Sequence, residues 1–257
     1  MGGNPKMVSQ LESYFFPIKT AMNHLIDRTA GDTVFMYADP AKTDSLYLPA
    51  PVYILTSNHT FSGAEDFSYG MQVAKRAVIV GETTGGGAHP QKPFAVGQGF
   101  VLYIPFARSL NPVTKKDWEG TGVIPDFKTP ASKALLKAQE LVFKNNISVT
   151  TDQHVKNKNQ YYLNALSAYT EKKALPVSQL MSYAGTYGGL VIYIKQGNLY
   201  CKNNNNGGGI TQLKYLSGNL FILDQEAQVE FIKNRKQQVS GIKIWVADGS
   251  VFEENKL

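Results

Sequence analysis

Cysteine is almost absent from this chain of 257 residues: there is one, Cys201. A single thiol excludes an internal disulfide and any cysteine-rich metal centre. No apolar run approaches the roughly 18 residues of a membrane span. The opening Met-Gly-Gly-Asn-Pro-Lys-Met has no apolar stretch fit for a signal peptide, and Lys6 stands where a myristoylation signal needs Ser or Thr. Charge is sparse and nearly balanced, with 26 Lys and Arg against 20 Asp and Glu. No basic cluster is interleaved with aromatics, so a nucleic-acid partner is not expected. Only four histidines are present, and none is spaced with carboxylates as metal ligands would be. Neither a metal nor a cofactor is expected.

What is present is enough apolar matter for a real core: 43% hydrophobic residues, with 13 Phe, 14 Tyr and 2 Trp. Residues 5–16 read as a helix opened by Pro5 and closed by Pro17, with Met7, Val8, Leu11, Tyr14 and Phe15 on one face. Extended segments follow at Leu25–Arg28 and Val34–Ala38, joined by the turn Ala30-Gly31-Asp32. A Pro-rich loop covers 39–51. Val52–Thr56 and Ala77–Val80 are short apolar runs flanking a helix at 63–75, with Phe67, Met71 and Ala74 inward. Strand, helix, strand is the parallel crossover of an α/β domain. Then come a Gly85–Gly87 loop, a strand at Phe100–Ile104, a turn-rich stretch over 111–130 and a helix at 131–145.

A polar helix is expected over 150–174. Beyond Pro176 short strands alternate with turns. They are expected at Val191–Lys195, Leu199–Lys202, Leu213–Leu216, Leu220–Leu223, Val229–Lys233 and Gly241–Val246, with Asn203–Gly209 as a loop. This spacing predicts a small antiparallel sheet or barrel. The organisation expected is therefore an α/β domain over 1–148, a helical linker over 149–175 and a small antiparallel β domain over 176–257.

One segment carries chemistry. In Leu55-Thr-Ser-Asn-His-Thr-Phe-Ser-Gly-Ala-Glu-Asp-Phe67 a buried strand ends, a polar turn follows, and Ser62 stands where a helix begins. A serine there can attack a carbonyl while the neighbouring N–H groups, starting with Gly63, receive the oxyanion. Ser62-Gly-Ala-Glu65 also has the spacing of a capping box, in which serine and glutamate satisfy the helix-end N–H groups. Both readings stand on the sequence. Gly85-Gly-Gly87 is not a P-loop, because no Gly-Lys-Ser/Thr follows. Asp126 reads as a turn or cap residue. Cys201 reads as strand packing.

Several ordered motifs resemble one family. Thr60-Phe-Ser-Gly-Ala-Glu65 and Arg76-Ala-Val-Ile-Val-Gly-Glu-Thr-Thr-Gly-Gly-Gly-Ala-His-Pro90 look like the C-terminal processing (tail-specific) serine peptidases. The similar branch is that of interphotoreceptor retinoid-binding protein and the tricorn protease core. Asn111-Pro-Val-Thr114 and Trp118-Glu-Gly-Thr-Gly-Val-Ile-Pro-Asp126 match it too. Gly2-Gly3-Asn-Pro resembles the tail of the family's Asp-Leu-Arg-x-Asn-x-Gly-Gly motif. The likeness covers roughly residues 1–140. It implies an α/β fold of the ClpP/crotonase type, a β-α spiral that would be incomplete at its N-terminus here. It implies a peptide or protein substrate, leaves an oligomer open, and belongs to proteins that are often periplasmic or extracellular. It places Ser62 as nucleophile, Gly63 as one oxyanion donor and Gly2 or Gly3 as the other.

The departures matter as much. The tail-specific branch places a lysine base in Gly-Lys-Gly, and Gly87 occupies that position here. The tricorn-like branch uses a histidine from a segment upstream of Gly-Gly, helped by a glutamate that Glu119 resembles. Two histidines are left as stand-ins. His89 is either a base or a loop residue fixing local hydrogen bonds. His59, three residues before Ser62, is either a base or an exposed turn residue. His24 and His154 read as structural. With no base, Ser62 keeps the weak nucleophilicity of an alcohol, and weak or no activity is expected of the isolated chain. The other readings are a non-catalytic module binding a hydrophobic ligand (retinoid or lipid) or a peptide on the same scaffold, and, with less support, a crotonase-like acyl-CoA site. The segment Tyr183-Ala-Gly-Thr-Tyr187, before the alternating strands, is similar to small β domains appended to serine hydrolases and penicillin-binding-like proteins. That suggests a packing or substrate-guiding module.

Overall fold

The structure, a computed structural model, describes residues 2–166, 175–204 and 209–257. The chain divides into two compact units, Met1–Ala138 and Gln139–Leu257. The end of the helix expected to reach 174 and most of the Asn203–Gly209 loop lie outside the described residues.

In the first unit helix α1 (Pro5–Ser13) is followed by β1 (Thr20–Ala21), β2 (His24–Asp27), β3 (Asp32–Val34) and β4 (Tyr37–Ala38). A 3-10 turn (Pro40–Thr43) then leads to β5 (Val52–Thr56), α2 (Gly63–Val73) and β6 (Ala77–Gly81). The unit continues with β7 (Gln91–Gly97), β8 (Phe100–Pro105), β9 (Ala107–Leu110), β10 (Phe127–Lys128) and the start of α3 (Ala131–Val149). β5 and β6 pair in parallel with Val52 opposite Ala77 and Thr56 opposite Gly81. β10 adds to β6, also in parallel. The strand–helix–strand crossover read in the sequence is therefore real. It delivers the end of β5 and the start of α2 to one edge of the sheet, where ligands of parallel sheets gather. β3, β2 and β9 make a separate antiparallel sheet. Phe16, Met22, Ala38, Met71 and Ala77 form the core between helices and strands.

Helix α1 departs from the expected face. Met7 and Leu11 are exposed, while Val8, Ser9, Glu12 and Ser13 are buried. Ser9 and Ser13 can face inward because their hydroxyls find partners. Ser13 Oγ donates to the Ser9 carbonyl at 2.7 Å and accepts the Asp39 N–H at 2.8 Å. Strand β7, which the sequence did not reveal, forms a two-stranded antiparallel hairpin with β8. All of β7 is exposed, so no inward–outward alternation was imposed on its residues.

The second unit holds the rest of α3, then α4 (Gln153–Leu166), α5 (Val177–Tyr183), β11 (Gly185–Tyr187), β12 (Leu190–Lys195), β13 (Asn198–Asn203) and β14 (Ile210–Gln212). It ends with β15 (Lys214–Ser217), β16 (Leu220–Ile222), β17 (Ala227–Lys233), β18 (Val239–Val246) and β19 (Val251–Asn255). Strands β11 to β14 form one antiparallel sheet in sequence order, and β15 to β19 another. Ile192, Leu199 and Cys201 from the first share a core with Phe221, Val229, Phe231 and Ile242 from the second. Tyr183 stacks on Phe231 with ring centroids 4.3 Å apart. Burial pushes the Cys201 thiol up to about 11, so it stays protonated and serves packing.

Two expectations shift here. The helix placed at 131–145 runs on to Val149. The stretch taken as a linker is partly a packed element. Gln228 Nε2 donates to the Tyr161 carbonyl at 3.1 Å, and the Tyr161 hydroxyl reaches the Gln225 carbonyl at 3.3 Å. Tyr161 is buried, which anchors α4 against β17 and the turn before it.

Candidate active site

Ser62 sits between β5 and α2 with φ 54° and ψ −120°. This is left-handed backbone, costly for a residue with a Cβ by about 1–3 kcal/mol. The twist sets the side chain off the helix axis. The hydroxyl faces the Glu65 N–H and the Glu65 carboxylate faces the Ser62 N–H, the reciprocal arrangement of the capping box read in the sequence. Carbonyl and carboxylate share in satisfying the helix end. Glu65 and Asp66 N–H groups donate to the Ser62 carbonyl at 2.8 and 2.9 Å, and the Ser62 N–H donates to Glu65 Oε2 at 2.7 Å.

The Gly2-Gly3 segment lies directly against this turn. A Cβ on Gly2 would stand 2.8 Å from both Cβ and Oγ of Ser62. A Cβ on Gly63 would stand 2.7 Å from the Gly3 nitrogen. Only glycine lets the two backbones approach this closely. The structure thus brings together Ser62, Gly63, Gly2 and Gly3.

Glu65 was read from the sequence only as a capping partner. It is fully buried, and its carboxylate organises the site. Besides the Ser62 N–H, it accepts the Gly86 N–H at 2.6 Å on Oε1 and the Gly87 N–H at 2.9 Å on Oε2. The Thr84 hydroxyl also donates to Oε1. That hydroxyl in turn accepts the Val123 N–H at 2.7 Å. One buried side chain therefore ties the serine turn, the glycine loop and the 118–123 segment together.

Glu119 holds the same loop from outside. Its Oε2 accepts the Ala88 N–H at 2.6 Å and the His89 N–H at 3.1 Å. The His89 ring lies between two carboxylates, Nε2 at 3.3 Å from Asp117 and Nδ1 at 3.8 Å from Glu119. His89 shares a cavity of about 360 Å³ with Ser62, Gly87 and Glu119, yet no hydrogen bond joins its ring to Ser62. His59 is exposed in the turn. His24 is buried and accepts the Met36 N–H at 3.2 Å on Nδ1. Burial, and then Lys115, hold its pKa down. Asp126 proves to be more than a turn residue, since Oδ2 accepts the Ile79 N–H of β6 at 2.7 Å.

At Gly87 a Cβ would lie 2.1 Å from the Phe61 ring. The aromatic ring thus fills the space in which a side chain at 87 would begin. Among the described residues no group of His, Cys, Asp or Glu could hold a metal ion, and no helix is long and apolar enough to cross a membrane.

Residues 1–129 match the profile of Peptidase family S41. The chain belongs to peptidase family S41. Solved structures similar to it include the photosystem II D1 C-terminal processing protease (23% identity, TM-score 0.42, covering 51% of this chain and 32% of that one). Another is a Bacteroides fragilis structure assigned to the S41 proteases (18% identity, TM-score 0.43, 66% and 43% covered). A third is a lipoprotein from Streptococcus agalactiae (20% identity, TM-score 0.43, 56% and 52% covered). This S41 chain thus spans between about a third and a half of the length of these three structures.

Two acids in the S41 region escaped the sequence reading. Asp66 lies one turn beyond Ser62, and burial pushes it up to about 6 against an opposing hydrogen bond from Asn23. Glu12 is pushed up to about 9, by burial first and then by the charge of Asp66. The available clue was helical spacing. Asp66 precedes Phe67 on a helix whose neighbours are apolar, and Glu12 lies inside an amphipathic pattern. Neither spacing reveals that the two helices meet.

Proposed function

We propose that this chain carries the nucleophile and oxyanion hole of a serine-type peptidase. Ser62 attacks the peptide carbonyl, and the oxyanion is received by the Gly63 N–H with an N–H of Gly2 or Gly3. The hydroxyl proton passes to a base as the new C–O bond forms, and the leaving amine takes a proton when the C–N bond breaks. The observation that carries this reading is the strained Ser62 turn with glycine backbone pressed against its hydroxyl. Strain at a serine that faces a cavity is what a functional role would maintain. The tail-specific reaction and the retinoid-binding-protein-like branch are the finer forms of this proposal.

Glu119 acts as a positioning residue through the 88–89 backbone. His89, held by Asp117 and Glu119, supports the loop. As arranged, no described side-chain base is hydrogen-bonded to the Ser62 hydroxyl, so slow chemistry is expected. The same observation favours the second reading, a binding module for a hydrophobic ligand or peptide.

A fluorophosphonate probe separates the two. Slow labelling confined to the peptide bearing Ser62, and absent in Ser62→Ala, is the expected result by mass spectrometry. No labelling after prolonged exposure, in a chain shown to be folded, would sink the peptidase reading and leave the binding module.

A further inference from the structure

Beside Ser62 is a second, smaller cavity of about 80 Å³. Its lining includes Ser62, Leu25, Asp66, Ala88, Ser109 and Trp118. Leu25, Ala88 and Trp118 supply apolar wall that accepts a hydrocarbon side chain, and the volume suits one no larger than threonine or valine. Two polar features of the lining are unusual. Asp66 Oδ1 is engaged by Asn23 Nδ2 at 2.7 Å, and Asn23 is itself fixed by Asn111 Nδ2 at 2.7 Å. Asp66 is half-buried, and among the described residues no hydrogen bond is made to its Oδ2. The indole N–H of Trp118, almost wholly buried, also lacks an acceptor among the described residues. Buried polar groups normally find partners, and an orphan in a cavity wall points to something that completes it. One lining group wants a donor and the other an acceptor. A hydroxyl is both.

We propose that this cavity is a specificity pocket for a small hydroxylated side chain, serine or threonine, with Asp66 as the specificity-determining residue. The proposal rests on the reading of Ser62 as nucleophile, because the pocket would hold the residue next to the bond attacked. Threonine places its methyl against Leu25 and Ala88 and donates its hydroxyl to Asp66. Asn23 and Asn111 keep the carboxylate aimed. Valine has the same shape and leaves the acid unpaired, and leucine or phenylalanine is too large. A pocket built around a hydroxyl rejects the isostere that lacks it more strongly than it rejects one missing methylene.

The test is equilibrium binding to the full chain, by calorimetry, of N-acetyl tripeptide amides differing only in a last residue of threonine, valine or phenylalanine. Threonine is expected to bind about tenfold tighter than valine, as for a hydrogen bond to a charged acceptor. Phenylalanine is expected not to bind. Asp66→Asn, which keeps the shape and the bond to Asn23, is expected to reduce the threonine preference to about twofold or less. Equal binding of threonine and valine, or a preference that survives in Asp66→Asn, overturns the proposal. Because binding needs no reaction, a threonine preference without fluorophosphonate labelling would retain the pocket and reject the nucleophile. Labelling without the preference would do the reverse.

Discussion

Glu65→Ala is expected to destabilise the first unit by about 3–5 kcal/mol, the range for removing one partner from a buried charged network. The cause is local and countable. The Ser62, Gly86 and Gly87 N–H groups and the Thr84 hydroxyl all donate to this carboxylate. Alanine strands them in a site from which Glu65 excluded water, and each stranded group costs about 1–3 kcal/mol before relaxation. Thermal unfolding should move down by on the order of 10 °C. Fluorophosphonate labelling of Ser62 should vanish even below that temperature, because the serine turn loses its tie to the glycine loop. Glu65→Gln keeps the shape but turns an amide donor toward other donors, so it should fall between alanine and the native chain. A shift below about 2 °C for alanine would show that the network is dispensable.

The second large effect depends on pH. Glu12 is buried, its Oε1 has no hydrogen-bond partner among the described residues, and it faces Asp66 across the α1–α2 contact. Gly70 allows that contact, since a Cβ there would lie 2.7 Å from Glu12 Oε1. Folded Glu12 keeps its proton up to about 9, whereas a free glutamate releases it near 4.5. The folded state therefore binds more protons between these values, and stability falls as pH rises through that window. The stabilising share is complete below about 4.5 and gone above about 9. Asp66, raised to about 6, adds to the loss at the acid end of the window.

Glu12→Gln removes the titrating group and keeps its size. At pH 5 the variant should melt within about 2 °C of the native chain. At pH 8 it should melt higher by about 5 °C, reflecting on the order of 2 kcal/mol after allowance for the mutual influence of two buried acids. Equal melting curves at both pH values would mean that Glu12 does not carry a buried proton.

The sequence disclosed the crossover from β5 through α2 to β6 because each piece has its own period and its own stop signal. It disclosed β12, β13 and β15 to β18 of the second unit for the same reason, but not β11, β14 or β19. Ser62, Gly63 and the Gly2-Gly3 pair were legible through ordered motifs. What stayed hidden depends on contacts far apart in sequence. Glu12 and Asp66 lie on helices more than 50 residues apart in sequence, and nothing local marks either as buried. The inward polar face of α1 depends on Ser13 meeting Asp39, which periodicity cannot show. Asp117 carries no motif of its own, and only the fold places it against His89. Strand β7 offered no pattern because neither of its faces is buried.

The aromatic ring over Gly87 couples two positions, because a side chain at 87 and the Phe61 ring compete for one space. A lysine introduced at 87 would meet Phe61 before its chain could extend, and a smaller residue at 61 would leave Gly87 beneath an empty space. Neither exchange alone installs a serine–lysine pair. The route between the two kinds of site passes through an intermediate that is worse than either end, so substitutions at 61 and 87 should prove strongly non-additive.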